Sequence, residues 1–236
     1  MKRSTAFFFS FLVLSMHTFT QAQNNEWIAL FNGKNLEGWH LYNNASSTPI
    51  WTVENGALVF DPANKSKGDP AQDIVTDQTF KSFQLSIEWN IAPGGNSGLF
   101  WAVNEAPQYN RPYTTGPEIQ VIDNERHPDA KVRPNFHQAG SLYDMVQPTA
   151  DVTRPAGEWN HFLITIDYEN NKGSVDLNNT RIVDFPLYGP QWDALIANSK
   201  FKAPSFKGFS EFPTGRIGLQ DHNDKVSYRN IKIKAL

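Results

Sequence analysis

The period-two alternation that recurs along this chain constrains its fold more than any other feature. Phe83, Leu85, Ile87, Trp89 and Ile91 alternate with Gln84, Ser86, Glu88 and Asn90, the pattern of a strand with one buried and one solvated face. Similar short runs, "WTVENGALVF", "SGLFWAV", "EIQVID", "HFLITIDY", "GSVDLNNTRIVDF", "GRIGLQDH" and "VSYRNIKI", are separated by Gly, Pro, Asn and Asp. Many short strands with turn residues between them predict an all-β antiparallel sandwich or jelly roll. Asn178 and Asn179 fall where a two-residue hairpin turn is expected, because Asn tolerates positive φ. One short helix is predicted from Pro190 to Asn198, with Trp192, Leu195 and Ile196 at helical spacing behind a Pro in the first turn. The polar stretches 64–73 and 104–117 read as loops, the second long enough to border a site.

The first residues follow another pattern. Lys2 and Arg3 precede an apolar run from Ala6 to Met16 and the small-residue site Thr20-Gln21-Ala22, so residues 1–22 read as a secretory signal peptide cleaved after Ala22. No later run reaches ~18 apolar residues, and no membrane span is expected. Cys is absent, which excludes disulfides, thiol nucleophiles and a lipid-anchor cysteine, so the expected destination is periplasmic or secreted. Residues 23–236 are expected to form a single domain, since a chain of roughly 200 residues buries about two thirds of its unfolded surface without a staple. The net charge is −3, and removing Lys2 and Arg3 leaves −5. With no Lys/Arg cluster, neither nucleic acid nor an anionic membrane is expected as a partner. Seven Trp and seven Tyr within 13% aromatic content raise the odds of rings that stack on a small carbohydrate, although core Trp is the commoner use of such residues.

The polar faces of two strands carry the candidate chemistry. In "GPEIQVIDNERH", inward Ile119 and Val121 leave Glu118 and Gln120 on the opposite face; in "RIGLQDHND", inward Ile217 and Leu219 leave Gln220 and His222 there. If these strands are neighbours, one carboxylate, two amides and an imidazole converge, with Asp221 turned away. Asp123 lies at an odd separation from Glu118, so the two carboxyl groups of an ordinary retaining glycosidase, roughly 5–5.5 Å apart, are not expected on this strand. His137, in a loop before Tyr143, is a further candidate, and His40, His127 and His161 are weaker ones. The glycines of "GGNSGLFWAV" permit close backbone approach, with Asn96 offering amide contacts and Trp101 a ring platform. HExxH and His-x-His spacings are absent, so no metal or other cofactor is expected, and a divalent cation could be held only by dispersed ligands.

The ordered blocks "LFNGKNLEGW", "GNSGLF", "GPEIQVIDN", "HQAGSLYDM", "GEWNHF", "QWDALIANSKF" and "GRIGLQDHNDKVSYRNIKI" resemble the 3-keto-disaccharide hydrolase domain family from about Trp27 to Leu236. The resemblance implies a concanavalin A-like β-sandwich and hydrolysis of glycosides whose sugar carries a ketone at C3. This chain has Trp101-Ala102-Val103 where the family commonly places a basic residue nearby. The residues suit such a substrate. A C3 ketone acidifies the C2 proton, so one base, one proton donor and an enolate stabiliser suffice for β-elimination, after which water adds back. On this reading Glu118 is the general base and His222 or His137 the general acid and enolate partner, with Gln120, Gln220, Asn96 and Tyr143 orienting the substrate. Exchanging the roles of Glu118 and His222 is equally compatible. The alternative is a non-catalytic, lectin-like carbohydrate-binding module using the same face.

Overall fold

The computed structural model describes residues 26–133 and 135–236; the segment read as a signal peptide lies outside them. Among the described residues the strands are β1 (Ile28–Ala29), β2 (Trp39–Leu41), β3 (Thr52–Glu54), β4 (Ala57–Phe60), β5 (Ile74–Thr76), β6 (Phe83–Ile91), β7 (Asn96–Val103), β8 (Glu118–Ile122), β9 (Asn160–Asp167), β10 (Lys172–Leu177), β11 (Thr180–Phe185), β12 (Arg216–Leu219) and β13 (Val226–Ala235), with helices α1 (Asp129–Val132) and α2 (Pro190–Ala197). They form the expected antiparallel sandwich. The larger sheet runs β11-β10-β9-β6-β13-β4-β3, with β1 also on β13, and the smaller runs β2-β5-β12-β7-β8. The β10–β11 hairpin turns on Asn178 and Asn179, whose φ values are 49° and 68°, the double positive φ that a type I′ turn demands.

The core lies between the sheets. Leu85, Ile87 and Trp89 of β6 and Phe162 and Ile164 of β9 meet Leu99, Ile119, Val121 and Ile217 from the smaller sheet. Trp89 and Phe162 lie 5.3 Å apart between centroids. Each such side chain contributes about 1.5–3 kcal/mol by leaving water. Trp101 belongs here as well. It is 1% exposed and stacks on Phe185 at 5.8 Å, so it is not the ring platform that its place beside the glycines suggested. Two residues on from Leu99, it faces the core by regular alternation; only after it does the β7–β12 register shift between Arg216 and Gly218, where Ala102 on β7 takes a φ of 56°. That extra residue sends Val103 to the outer side with Phe100.

The outer faces of the two sheets differ. β6 and β9 alternate buried with half-buried residues, whereas β7 and β8 are buried at every position. Two segments cover the smaller sheet. The 104–117 loop is held by Tyr42, whose hydroxyl donates to Asn104 O (3.0 Å), and by Asn43, whose Nδ2 donates to Tyr109 O (2.6 Å). Under it Tyr42, Val75, Phe100 and Val103 form a separate apolar cluster with Tyr109 and Tyr113. The free edge of β8 is occupied by residues 140–143: Gln120 N donates to Ser141 O (3.1 Å), Gly140 N to Gln120 O (2.8 Å) and Tyr143 N to Glu118 O (3.0 Å). Both an exposed edge and an exposed face are thereby closed. No helix among the described residues is long and apolar enough to cross a membrane.

Candidate active site

On the covered face, register decides which side chains meet. Phe100 opposes Glu118 and Gly98 opposes Gln120, while Gln220 N donates to Gly98 O (3.0 Å) just beyond β12. A cavity of about 230 Å³ results, lined by Glu118, Gln120, Asn96, Gln220, His222 and Tyr143, together with Asp129, Lys200 and Tyr113. It is smaller than the roughly 300–1,000 Å³ of drug-sized pockets and suits one sugar ring. Gly98 makes room for the acid: a Cβ there would collide with Glu118 Oε1.

The charges are arranged unequally. Glu118 is 5% exposed, and burial pushes its carboxyl up to about 8 while Lys200 pulls the other way. Asp129 meets the opposite balance. Burial acts to raise it, but hydrogen bonds from His137 and Tyr143 hold it below the usual carboxylate range. Two carboxyl groups in one cavity with values pushed apart are the usual sign of divided proton-transfer roles. Sequence reasoning expected one acid on this face; the second comes from α1, not from the strand.

His137 stands behind the cavity wall. Its Nδ1 is 3.0 Å from Asp129 Oδ1 and its Nε2 3.2 Å from Asp144 Oδ1, and its ring stacks on Tyr143 at 4.3 Å. Burial works against its charge, yet the two carboxylates raise its pKa overall. Both nitrogens are engaged by carboxylates and the ring does not line the cavity, so His137 orients Asp129 and Tyr143 from behind it. The Tyr143 hydroxyl donates to Asp129 Oδ2 (3.1 Å). Asp144 also accepts from Arg133 Nη1 and from the backbone N of Lys200, both at 2.6 Å, and Lys200 Nζ lies 4.2 Å from the Tyr143 ring centroid. One carboxylate thus anchors the segment that carries the cavity's ammonium group.

Three amides complete the lining. Asn96 Oδ1, Gln120 Oε1 and Gln220 Oε1 are buried and have no hydrogen-bond partner among the described residues. Buried acceptors of this kind call for donors, which a ligand rich in hydroxyl groups would bring. His222, with 46% of its side chain exposed, stands at the mouth. The neighbouring acids are spent on structure: Asp123 accepts from Gly94 N (2.8 Å) and pairs with Arg126, and Asp221 accepts from Lys65 Nζ (2.5 Å) and Gln72 N (2.8 Å). A larger depression of about 660 Å³ lies beside His40, Asp77, Glu105 and Arg216. Its charges are already matched, with His40 2.5 Å from Asp77 and 3.0 Å from Glu105 and Arg216 2.5 Å from Glu105.

The structure therefore brings together six of the residues singled out in the sequence and sets Trp101 and His137 apart. Asp129, Lys200 and Tyr113 were missed. Tyr113 had a signal, since its loop was expected to border a site. Asp129 and Lys200 had none, because they lie in segments without period-two alternation.

Known proteins match nearly all of the described chain. A family model described as a 3-keto-alpha-glucoside-1,2-lyase-like domain matches residues 26–234. A 3-keto-disaccharide hydrolase of Bacteroides thetaiotaomicron is 35% identical over 234 residues, covering 89% of this chain and 78% of the relative. The crystal structure of a candidate glycosyl hydrolase from Parabacteroides distasonis matches with a TM-score of 0.81 at 30% identity, covering 90% of this chain and 95% of that one. A Bacillus subtilis protein with a galectin-like fold, 11% identical with a TM-score of 0.56 over 89% of this chain and 94% of its own, shares the fold alone.

Proposed function

The chain belongs to the family of 3-keto-alpha-glucoside-1,2-lyase-like domains and is an enzyme of that glycoside-cleaving class; on this premise we propose that it cleaves 3-keto-glycosides, including 3-keto-disaccharides, by β-elimination followed by hydration. The observation that carries the reading is the Glu118 carboxyl, buried among unpaired amide acceptors and raised to about 8. As a carboxylate it takes the proton from C2, and the electron pair passes into the enolate of the C3 ketone. The enolate then collapses, expelling the oxygen at C1 and leaving a C1–C2 double bond. The departing oxygen receives a proton from His222 at the cavity mouth. Water adds across the double bond, hydroxyl to C1 and hydrogen to C2, so the sum is hydrolysis. Elimination alone is a 1,2-lyase step, and the descriptions carried by the family and by the Bacteroides relative fit the first step and the sum of one path.

A buried base suits this step. A carboxylate whose conjugate acid sits near 8 is a stronger base than an ordinary one, at the cost of being only about one-tenth ionised at pH 7. Lys200, in the cavity lining, supplies the positive charge that stabilises a developing enolate oxygen. Export belongs to the proposal too and rests on the sequence of residues 1–22.

The test is to incubate the protein in deuterated water with a 3-keto-disaccharide and, separately, with the parent disaccharide, following monosaccharide release and deuterium at C2. Release from the keto substrate only, with C2 deuterated, is expected. Equal cleavage of the parent sugar contradicts the ketone-dependent path, and glycan binding without turnover of either would assign the face to a binding module.

A further inference from the structure

Beside the cavity, three metal-ligating side chains from distant parts of the sequence converge without satisfying one another. His127, in the loop before α1, and His222 and Asp224, between β12 and β13, present ligand atoms that all lie within 4.8 Å of one another. Asp224 Oδ2 is 3.6 Å from His222 Nδ1 and 3.9 Å from His127 Nε2, too far for hydrogen bonds. The two rings are 5.8 Å apart between centroids and steeply inclined, at 75°, so they do not stack. Ligand atoms bound to one ion at ~2.1 Å stand roughly 3–3.5 Å apart, and closing gaps of up to 4.8 Å takes side-chain movements of up to about 1 Å.

We propose that His127, His222 and Asp224 form a binding site for one divalent transition-metal cation at the mouth of the cavity. The carboxylate is already aimed, since its Oδ2 accepts the backbone N–H of Asn96 (3.0 Å), an outer hydrogen bond of the kind that orients metal ligands. Asn96 adds an independent observation: its side chain, 3% exposed, carries one of the unpaired buried oxygens and lines the same cavity as His222. Two imidazoles and one carboxylate select Mn²⁺, Fe²⁺, Co²⁺ or Zn²⁺ over Mg²⁺ and Ca²⁺, and leave coordination positions open. As the His127 ring sits, Nδ1 accepts from Asp129 N (3.1 Å); coordination through Nε2 moves the ring proton to Nδ1 and gives up that one neutral hydrogen bond. Because His222 lines the cavity, the open positions lie within reach of the oxygens of a bound sugar, and coordination through its Nδ1, the atom beside Asp224, leaves Nε2–H for the proton transfer to the departing oxygen. That last consequence rests on the function proposed above, whereas the site itself does not.

The test reads binding, not turnover. The chelator-treated, dialysed protein is titrated with Mn²⁺ and the free ion is followed by electron paramagnetic resonance. One equivalent is expected to bind with Kd below about 100 µM, displaced by Zn²⁺ and not by equimolar Ca²⁺ or Mg²⁺. The substitution His222→Ala, at a half-exposed position that leaves packing intact, and His127→Ala are each expected to weaken binding at least about 10-fold, with thermal melting in chelator confirming the fold. Glu118→Gln is expected to bind Mn²⁺ as the parent does, even though it fails in the 3-keto-disaccharide assay. Absence of a stoichiometric site, parent-like affinity in His222→Ala, or displacement by Ca²⁺ at equal concentration each overturns the site and leaves the elimination reading untouched.

Discussion

Glu88 on β6 and Glu118 on β8 occupy the same kind of position, an acid between apolar neighbours on an antiparallel strand, and meet opposite surroundings. Glu88 lies on the open face of the larger sheet, where Arg229 Nε and Asn230 Nδ2 each donate to it at 2.7 Å. Burial acts to raise its pKa, but these partners bring it below the usual range. Glu118 lies on the covered face of the smaller sheet, and no such donors offset its burial, so its pKa rises to about 8. The strand pattern puts both acids outward. What lies over the strand decides whether an acid is solvated and paired or becomes a proton-transfer group.

The contrast can be broken in three ways, taken from the largest expected effect to the smallest. Glu118→Gln is expected to lower kcat/KM on a 3-keto-disaccharide by at least about 10²-fold, while Glu88→Gln stays within about twofold; equal losses in the two variants would erase the distinction. Trp101→Ala tests the inner boundary of the same sheet. It is expected to cost about 3–5 kcal/mol in urea denaturation, whereas a ring platform would show a raised KM with stability unchanged.

The third test turns the pKa difference into stability. Because the folded pKa of Glu118 is raised above its unfolded value, its favourable contribution is complete below about pH 4.5 and is lost as pH rises toward 8. Glu118→Gln is therefore expected to exceed the parent in stability at pH 8, on the order of a few kcal/mol, and to match it at pH 4. Glu88 has the reverse sign. Its pKa is lowered, so its contribution is present above about pH 4.5 and is lost as pH falls, and being partly exposed it amounts to less than about 1 kcal/mol. Thermal melts of both variants across that pH range check the two signs together.

The fold was legible because period-two alternation survives wherever one face meets the core: β6 reads its burial directly from its residues, and the Asn178–Asn179 turn needs only local φ preferences. On the smaller sheet the same alternation located Glu118, Gln120, Gln220 and His222, since their apolar neighbours fix the core side. It could not show that this polar face is buried, because the cover comes from loop 104–117 and residues 140–143, brought there by tertiary contacts. Asp129 and Lys200 escaped for that reason. Trp101 was misread because alternation alone leaves open which of Phe100 and Trp101 faces the core, and the folded chain buries both. His137 looked free in a loop and is instead held between two carboxylates whose approach only the folded chain creates.

The central claim is that burial makes Glu118 a proton-transfer group near neutral pH, and its titration tests this most directly. With glutamate labelled with ¹³C at the side-chain carboxyl, the resonance missing from Glu118→Gln identifies residue 118, and its shift can be followed from pH 3 to pH 10. A midpoint near 8 is the result expected here; a midpoint near the ordinary glutamate value of ~4.3 would contradict the account.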